Sequence, residues 1–182
     1  MSTPSAGTLL LAEPYLLDPN FKRTAIALVD HHAEGTVGFV INRPLDWRIT
    51  DVVNGFPDFT APLSYGGPVQ RDTLHFLHTL GDRLGESEHV ADGVYWGGDF
   101  EILTGLIADG VADASQVRFF LGYSGWDAGQ LAEEMRGTTW VTAGLTADLI
   151  FDLPAEQVWP RALDRLGDAY GVIAQMGEES LN

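Results

Sequence analysis

The sequence predicts one mixed α/β (α+β) domain: a mixed β-sheet covered by helices. Three observations carry this expectation. A chain of 182 residues suits a single core that needs no staple. Short apolar runs of strand length share the chain with segments of helical periodicity. The first half shows no regular strand–helix alternation, which argues against a doubly wound parallel sheet. With no linker or low-complexity segment, the expectation is a single domain over 1–182, with 1–6 and 176–182 as tails.

The elements follow in order. Gly7 to Ala12 reads as a buried strand, broken by Glu13-Pro14 and the turn Asp18-Pro19-Asn20. Thr24 to Val29 and Val37 to Ile41 are strands joined by a polar loop, His31 to Gly35, which suggests a hairpin. Asn42-Arg43-Pro44 ends it. Trp47 to Val53 is expected to be a short helix and Phe56 to Pro62 a loop. Asp72 to Leu80 alternates as a strand, and Gly81 to Asp92 reads as acidic loop. Val94 to Trp96 is a strand. Asp99 can cap a helix carrying Ile102, Leu103, Leu106 and Ile107, stopped at Gly110.

Val117 to Leu121 is then a strand leading into a glycine corner. Asp127, three residues before Gln130, resembles a capping box for a helix with Ala128, Leu131 and Met135 on one face, closing at Gly137. Thr138 to Thr142 is a β-branched strand, and Asp148 to Leu153 is mixed. Pro154 to Leu166 reads as helix, interrupted or restarted at Pro160. Asp168 to Gln175 is a candidate last helix. Three aromatic-glycine corners echo one another: Leu63-Ser64-Tyr65-Gly66-Gly67-Pro68, Val94-Tyr95-Trp96-Gly97-Gly98-Asp99 and Gly122-Tyr123-Ser124-Gly125-Trp126. Their content is too irregular for a repeat.

Composition excludes several functions. There are no cysteines, so disulfides, thiolate catalysis and cysteine-ligated metals are out, and a reducing cytosol fits. The N-terminus lacks a basic segment followed by an apolar run, and no apolar run has membrane-spanning length. These features lead to the expectation of a cytoplasmic protein without a membrane partner. The net charge of −16 disfavours nucleic acid as a partner. Residues 1–80 carry 5 basic and 8 acidic side chains, and residues 81–182 carry 5 and 18. An acidic surface with Lys22 as its one lysine also fits adaptation to high salt, in which case the charge says nothing about partners.

The ordered motifs resemble the AlgH-like (YqgE) family of small bacterial proteins without an assigned biochemical function. They begin with Gly7-Thr8-Leu9-Leu10-Leu11-Ala12-Glu13-Pro14 and Asp18-Pro19-Asn20-Phe21-Lys22-Arg23-Thr24. Gly38-Phe39-Val40-Ile41-Asn42-Arg43-Pro44, Gly66-Gly67-Pro68-Val69 and Phe76-Leu77-His78 follow. Tyr95-Trp96-Gly97-Gly98-Asp99, Gly122-Tyr123-Ser124-Gly125-Trp126, Gly129-Gln130-Leu131 and Trp140 complete the set. The resemblance implies a large mixed sheet, partly curled like an open barrel, with helices outside it. Some members of that family are labelled transcriptional regulators, but this sequence has no helix-turn-helix signature and no basic helix.

Each chemical motif has a plainer alternative. Asp30-His31-His32 resembles part of a metal phosphoesterase motif, whose further aspartates and second lobe this short chain lacks. His75 and His78, three apart on a strand, point to opposite faces and do not share a metal. Gly122-Tyr123-Ser124-Gly125 fails the spacing of a nucleophile elbow. The glycine corners at helix starts have the shape of an anion nest, though Asp99 and Asp127 would repel a phosphate there. The plain alternative is that these glycines permit tight turns and close packing, with Tyr95, Trp96, Tyr123 and Trp126 as core. Lys22, Arg23 and Arg43 lie on hairpin neighbours and can converge on a carboxylate or phosphate, or pair with Asp18, Asp30 or Asp46.

The candidate ligand-binding residues, drawn chiefly from the resemblance, are Arg23, Asn42, Arg43, Gly97, Gly98, Tyr123, Ser124 and Trp126. No catalytic residue, metal or cofactor is expected. The leading expectation is a non-catalytic cytoplasmic regulatory or adaptor protein that binds a protein or a small ligand. The alternative is an anion-binding protein or enzyme with its site near the glycine corners, and a DNA-binding regulator ranks last.

Overall fold

The computed structural model describes residues 3–16, 18–19, 21–137, 139–167 and 170. The expected helix over Asp168 to Gln175 and the tail over 176–182 lie outside the described residues, Tyr170 excepted. The expected architecture is present: one mixed sheet, curled into a half-barrel, with helices packed on it.

Strand β1 (Thr8–Ala12) lies between β10 (Trp140–Gly144) and β2 (Ala25–His32), and β2 forms a hairpin with β3 (Gly35–Val40). The sheet continues through β9 (Val117–Asp127), β6 (Val69–His78) and β8 (Val94–Trp96) to β7 (Glu88–Ala91) at the far edge. A branch of β4 (Pro44–Arg48) and β5 (Pro62–Tyr65) joins at β9. The β5–β9 pair is parallel, and the other pairs among the described residues are antiparallel. The helices are α1 (Ile49–Val52), α2 (Phe100–Ala108), α3 (Gln130–Arg136), α4 (Ala147–Phe151) and α5 (Ala155–Asp164).

The continuous apolar runs of β1 and β2 are explained by cover on both faces. Leu9, Leu11, Ala25, Ala27 and Val29 pack into a core with α4 and α5. Leu10, Ala12, Ile26 and Leu28 face the other way, against Trp126, Leu131, Met135 and Trp140. A third core joins Ile49, Phe56, Phe59, Phe76, Leu103 and Phe119 beneath α2.

Five sequence expectations need correction. First, the third glycine corner is no corner, because β9 runs through it for 11 residues. Gly122 bends the strand at φ +68°, where the 66–67 segment crosses it. A Cβ at Gly67 would lie 2.2 Å from the Tyr123 carbonyl carbon, and one at Gly122 would lie 2.6 Å from the Gly67 carbonyl oxygen. The first and third aromatic-glycine stretches are therefore the two halves of one backbone crossing.

Second, α3 starts at Gln130 behind Gly129 at φ +77° rather than at an Asp127 cap. Half of the expected box forms, with the Asp127 N–H donating to Gln130 Oε1 at 3.0 Å. Third, Pro44 to Arg48 is a strand and only Ile49–Val52 is helical. β4 is mostly exposed, so it shows no alternation for a pattern to detect. Fourth, the expected loop over Gly81 to Asp92 contains a 3-10 turn (Gly81–Leu84) and edge strand β7, which buries Val90. Fifth, α5 continues through Pro160, since proline removes a single helical N–H.

Asp99 caps α2 as expected, accepting from the N–H groups of Glu101 and Ile102 at 2.9 and 3.0 Å.

Candidate functional site

Two clefts meet at Arg43, just beyond the end of β3. The larger has a volume of about 630 Å³ and is lined by Phe21, Val40, Arg43, Pro44, Leu45, Tyr65, Pro68, Arg71 and Ser124. The smaller, about 490 Å³, is lined by Pro19, Lys22, Arg23, Asn42, Arg43, Ala155, Glu156, Trp159 and Pro160. Four of the five basic residues of positions 1–80 thus line two adjoining clefts. Among the described lining residues, Glu156 is the one carboxylate, and it belongs to the smaller cleft.

The side chains of Asn42 and Arg43 hold the segment before β2 in place. Asn42 Oδ1 accepts from the Ala25 N–H at 2.9 Å, and Asn42 Nδ2 donates to the Arg23 carbonyl at 2.8 Å. Arg43 Nη2 donates to the Lys22 carbonyl and to Thr24 Oγ1, both at 3.0 Å. Arg23 sits in the left-handed region at φ +54°, an uncommon conformation for a non-glycine residue that these bonds sustain. Its guanidinium lies 4.6 Å from the centroid of the Trp159 ring. That ring is itself buried and donates from Nε1 to the Ala12 carbonyl.

Lys22, Arg23 and Arg43 therefore converge as the hairpin reading expects, with the candidate Asn42 beside them, and Ser124 joins Arg43 in the larger cleft. The Ser124 hydroxyl donates to the Gly66 carbonyl at 3.2 Å, so it offers the cleft an acceptor and leaves anion contacts to the arginines. The other candidates lie elsewhere. The Tyr123 ring packs edge-on against His75. Trp126 is buried, and its indole N–H donates to Glu134 Oε2, which also accepts from Trp140. Gly97 lines a separate depression of about 260 Å³ with Leu74, His75, Phe76, Glu86, Glu88 and Trp96. A Cβ at Gly98 would meet Ser87 Oγ at 2.5 Å. The N–H groups of Gly97 and Asp99 donate to the carbonyls of Phe76 and Leu84, and Asp99 occupies the start of α2.

Sequence reasoning missed Arg71, Tyr65, Phe21, Leu45 and Trp159. Arg71 carried no signal, because a register irregularity between Val69 and Leu74, with Gln70 at φ +43°, sets its position. Its guanidinium lies 5.5 Å from the Tyr65 ring centroid.

His78 shows a polar site of the opposite kind. It is fully buried, Nδ1 accepts from the Leu80 N–H at 3.1 Å, and Nε2 reaches the Gly97 carbonyl at 2.8 Å. That pattern puts the proton on Nε2. Ser87 Oγ lies 3.2 Å from Nε2 and donates to the same carbonyl, so the imidazole presents no free base to it. Burial lowers the His78 pKa, and the Gly97 contact partly offsets the shift. His75 instead meets Thr73 Oγ1 at 2.9 Å. Asp30 contacts His32 at 2.7 Å. Among the described residues, no group of three or more histidines or carboxylates is placed to hold a metal, and no helix is long and apolar enough to cross a membrane.

Comparison with known proteins gives a consistent family. The AlgH-like family model matches residues 9–171. A UPF0301 protein of Chlorobium limicola is 44% identical over 172 residues, covering 94% of this chain and 92% of that protein. One from Bacteroides fragilis is 38% identical over 168 residues, covering 92% and 85%. The solution structure of AlgH from Pseudomonas aeruginosa is similar at TM-score 0.75 and 31% identity, covering 98% of both chains. A crystal structure of a Corynebacterium diphtheriae protein is similar in fold at TM-score 0.81 and 21% identity, covering 96% of this chain and 94% of that one.

Proposed function

The chain belongs to the AlgH-like family, and within it we propose that this protein is a non-catalytic cytoplasmic regulatory protein that works by binding an anionic small ligand at Arg43. One observation carries the reading: a chain of net charge −16 gathers Lys22, Arg23, Arg43 and Arg71 around two adjoining clefts. Against an acidic background, such a site gives anions a local field that the rest of the surface denies them. Arginine suits this use because its planar fork presents several donors at once. The fold takes two bonds from Arg43 Nη2 and leaves the rest of the fork for a ligand.

Among the described residues lining the two clefts, no histidine stands beside Ser124, whose hydroxyl donates to the Gly66 carbonyl, which supports binding rather than catalysis. The charge balance supports a small ligand over nucleic acid. A thermal-shift screen of organic acids and phosphate esters at constant ionic strength tests the reading. A ligand at 100 times its Kd adds about 2.7 kcal/mol to stability, a readily measured rise in Tm. The expected result is a set of anionic hits that fail on Arg43→Gln, while neutral analogues give no shift. A flat response to every anion defeats the reading.

A further inference from the structure

We propose that the larger cleft takes a two-part ligand: an oxyanion, either carboxylate or phosphate monoester, held by Arg43 and Arg71, joined to an apolar body lying on Phe21, Leu45, Tyr65 and Pro68. The proposal rests on the anion reading above and narrows it to a ligand class.

The cleft's volume of about 630 Å³ falls in the usual range of small-molecule sites, roughly 300–1,000 Å³. Its described lining has two guanidinium groups, no carboxylate, and a wall that is otherwise largely apolar. Each arginine is positioned by the fold. Arg43 is held on one edge by the Lys22 carbonyl and Thr24 Oγ1. Arg71 stands over the Tyr65 ring at the β6 irregularity. Ser124 adds no competing donor, since its proton is committed to the Gly66 carbonyl.

The two halves of the lining make complementary demands. A bare inorganic anion would satisfy the arginines and leave the apolar wall wet, including Phe21, which is 39% exposed. A neutral hydrocarbon would cover that wall and strip water from two cations without replacing it. A ligand carrying both parts meets both demands. The smaller cleft differs, because Glu156 stands among its cations.

The test is calorimetric titration at pH 7.5 and fixed ionic strength. The probes are 3-phenylpropanoate and phenyl phosphate, with acetate, inorganic phosphate and 3-phenylpropan-1-ol as their separated parts. At least one ring-bearing anion is expected to bind ten-fold or more tightly than its simple anion and than the alcohol. Arg71→Gln is expected to weaken it at least five-fold. Arg136→Gln, which removes the same charge from exposed α3, should leave it unchanged. Ring-bearing anions that bind no better than acetate and phosphate overturn this proposal and leave the anion reading standing. An alcohol that binds as well as the acid overturns both. Equal losses in Arg71→Gln and Arg136→Gln overturn the proposal, because the effect would then be net charge alone.

Discussion

His78 and Arg43 both spend side-chain donors on backbone carbonyls, yet one is sealed and the other open. His78 is fully buried, with both ring nitrogens engaged by the Leu80 N–H and the Gly97 carbonyl. Arg43 gives one nitrogen to Lys22 and Thr24 and lines two clefts. A polar side chain whose hydrogen-bonding capacity the fold uses up is part of the fold. Binding chemistry requires capacity left over after the fold's own needs, together with space to use it.

The largest expected effect lies on the sealed side. His78→Ala would leave a void and orphan the buried Leu80 N–H, while the Gly97 carbonyl keeps the Ser87 hydroxyl, costing about 2–4 kcal/mol in a urea titration. Anion binding at Arg43 should survive in the folded fraction. A loss below about 1 kcal/mol would mean that water fills the space and that the region is not sealed.

Asn42→Ala comes next, with an expected cost of about 1–2 kcal/mol, because it breaks the bonds that join Arg23 and Ala25 to the end of β3. This substitution sharpens the comparison, since Asn42 belongs to both the scaffold and the smaller cleft. Anion affinity should fall along with stability. A stability loss with unchanged affinity would place Asn42 with His78, as scaffold only. Arg43→Gln should show the reverse balance: a loss of about 1 kcal/mol in stability, and most of the anion-dependent rise in Tm.

The two regions were unequally legible in the sequence. The β2–β3 hairpin could be read from two apolar runs around a short loop, and it brought Lys22, Arg23 and Arg43 together as expected. The strand reading of Asp72 to Leu80 placed His75 and His78 apart and gave His78 its structural role. The glycines could be read for close packing, but not for the segments they pack against. Gly66-Gly67 and Gly122 read as separate corners in a linear sequence, and the structure uses them for the close crossing of two distant segments. No local pattern encodes which glycine meets which. Arg71 was illegible for a related reason, since its placement depends on an irregularity in pairing with β9.

The smallest expected effect separates the regions by pH. Burial holds the folded-state pKa of His78 below its ordinary value near 6.5, and burial lowers that of half-buried His75 as well. Below about pH 6.5 the unfolded chain therefore takes up protons that the folded chain refuses. The stability due to these neutral imidazoles is intact above that pH and is lost progressively as the pH falls. Asp148, whose pKa is lowered chiefly by its hydrogen bond from Arg165, acts further down, below the ordinary carboxylate value near 3.8. Urea midpoints measured from pH 7.5 to 5.5 should thus decline, and the decline should be shallower in His78→Gln, whose amide can still donate to Gly97. Over the same interval, 3-phenylpropanoate should bind the folded protein with nearly constant affinity, because no histidine is among the described residues that line the larger cleft. Affinity that instead climbs as the pH falls would put a protonating histidine in the ligand site, and the division between a sealed imidazole and an open guanidinium would not hold.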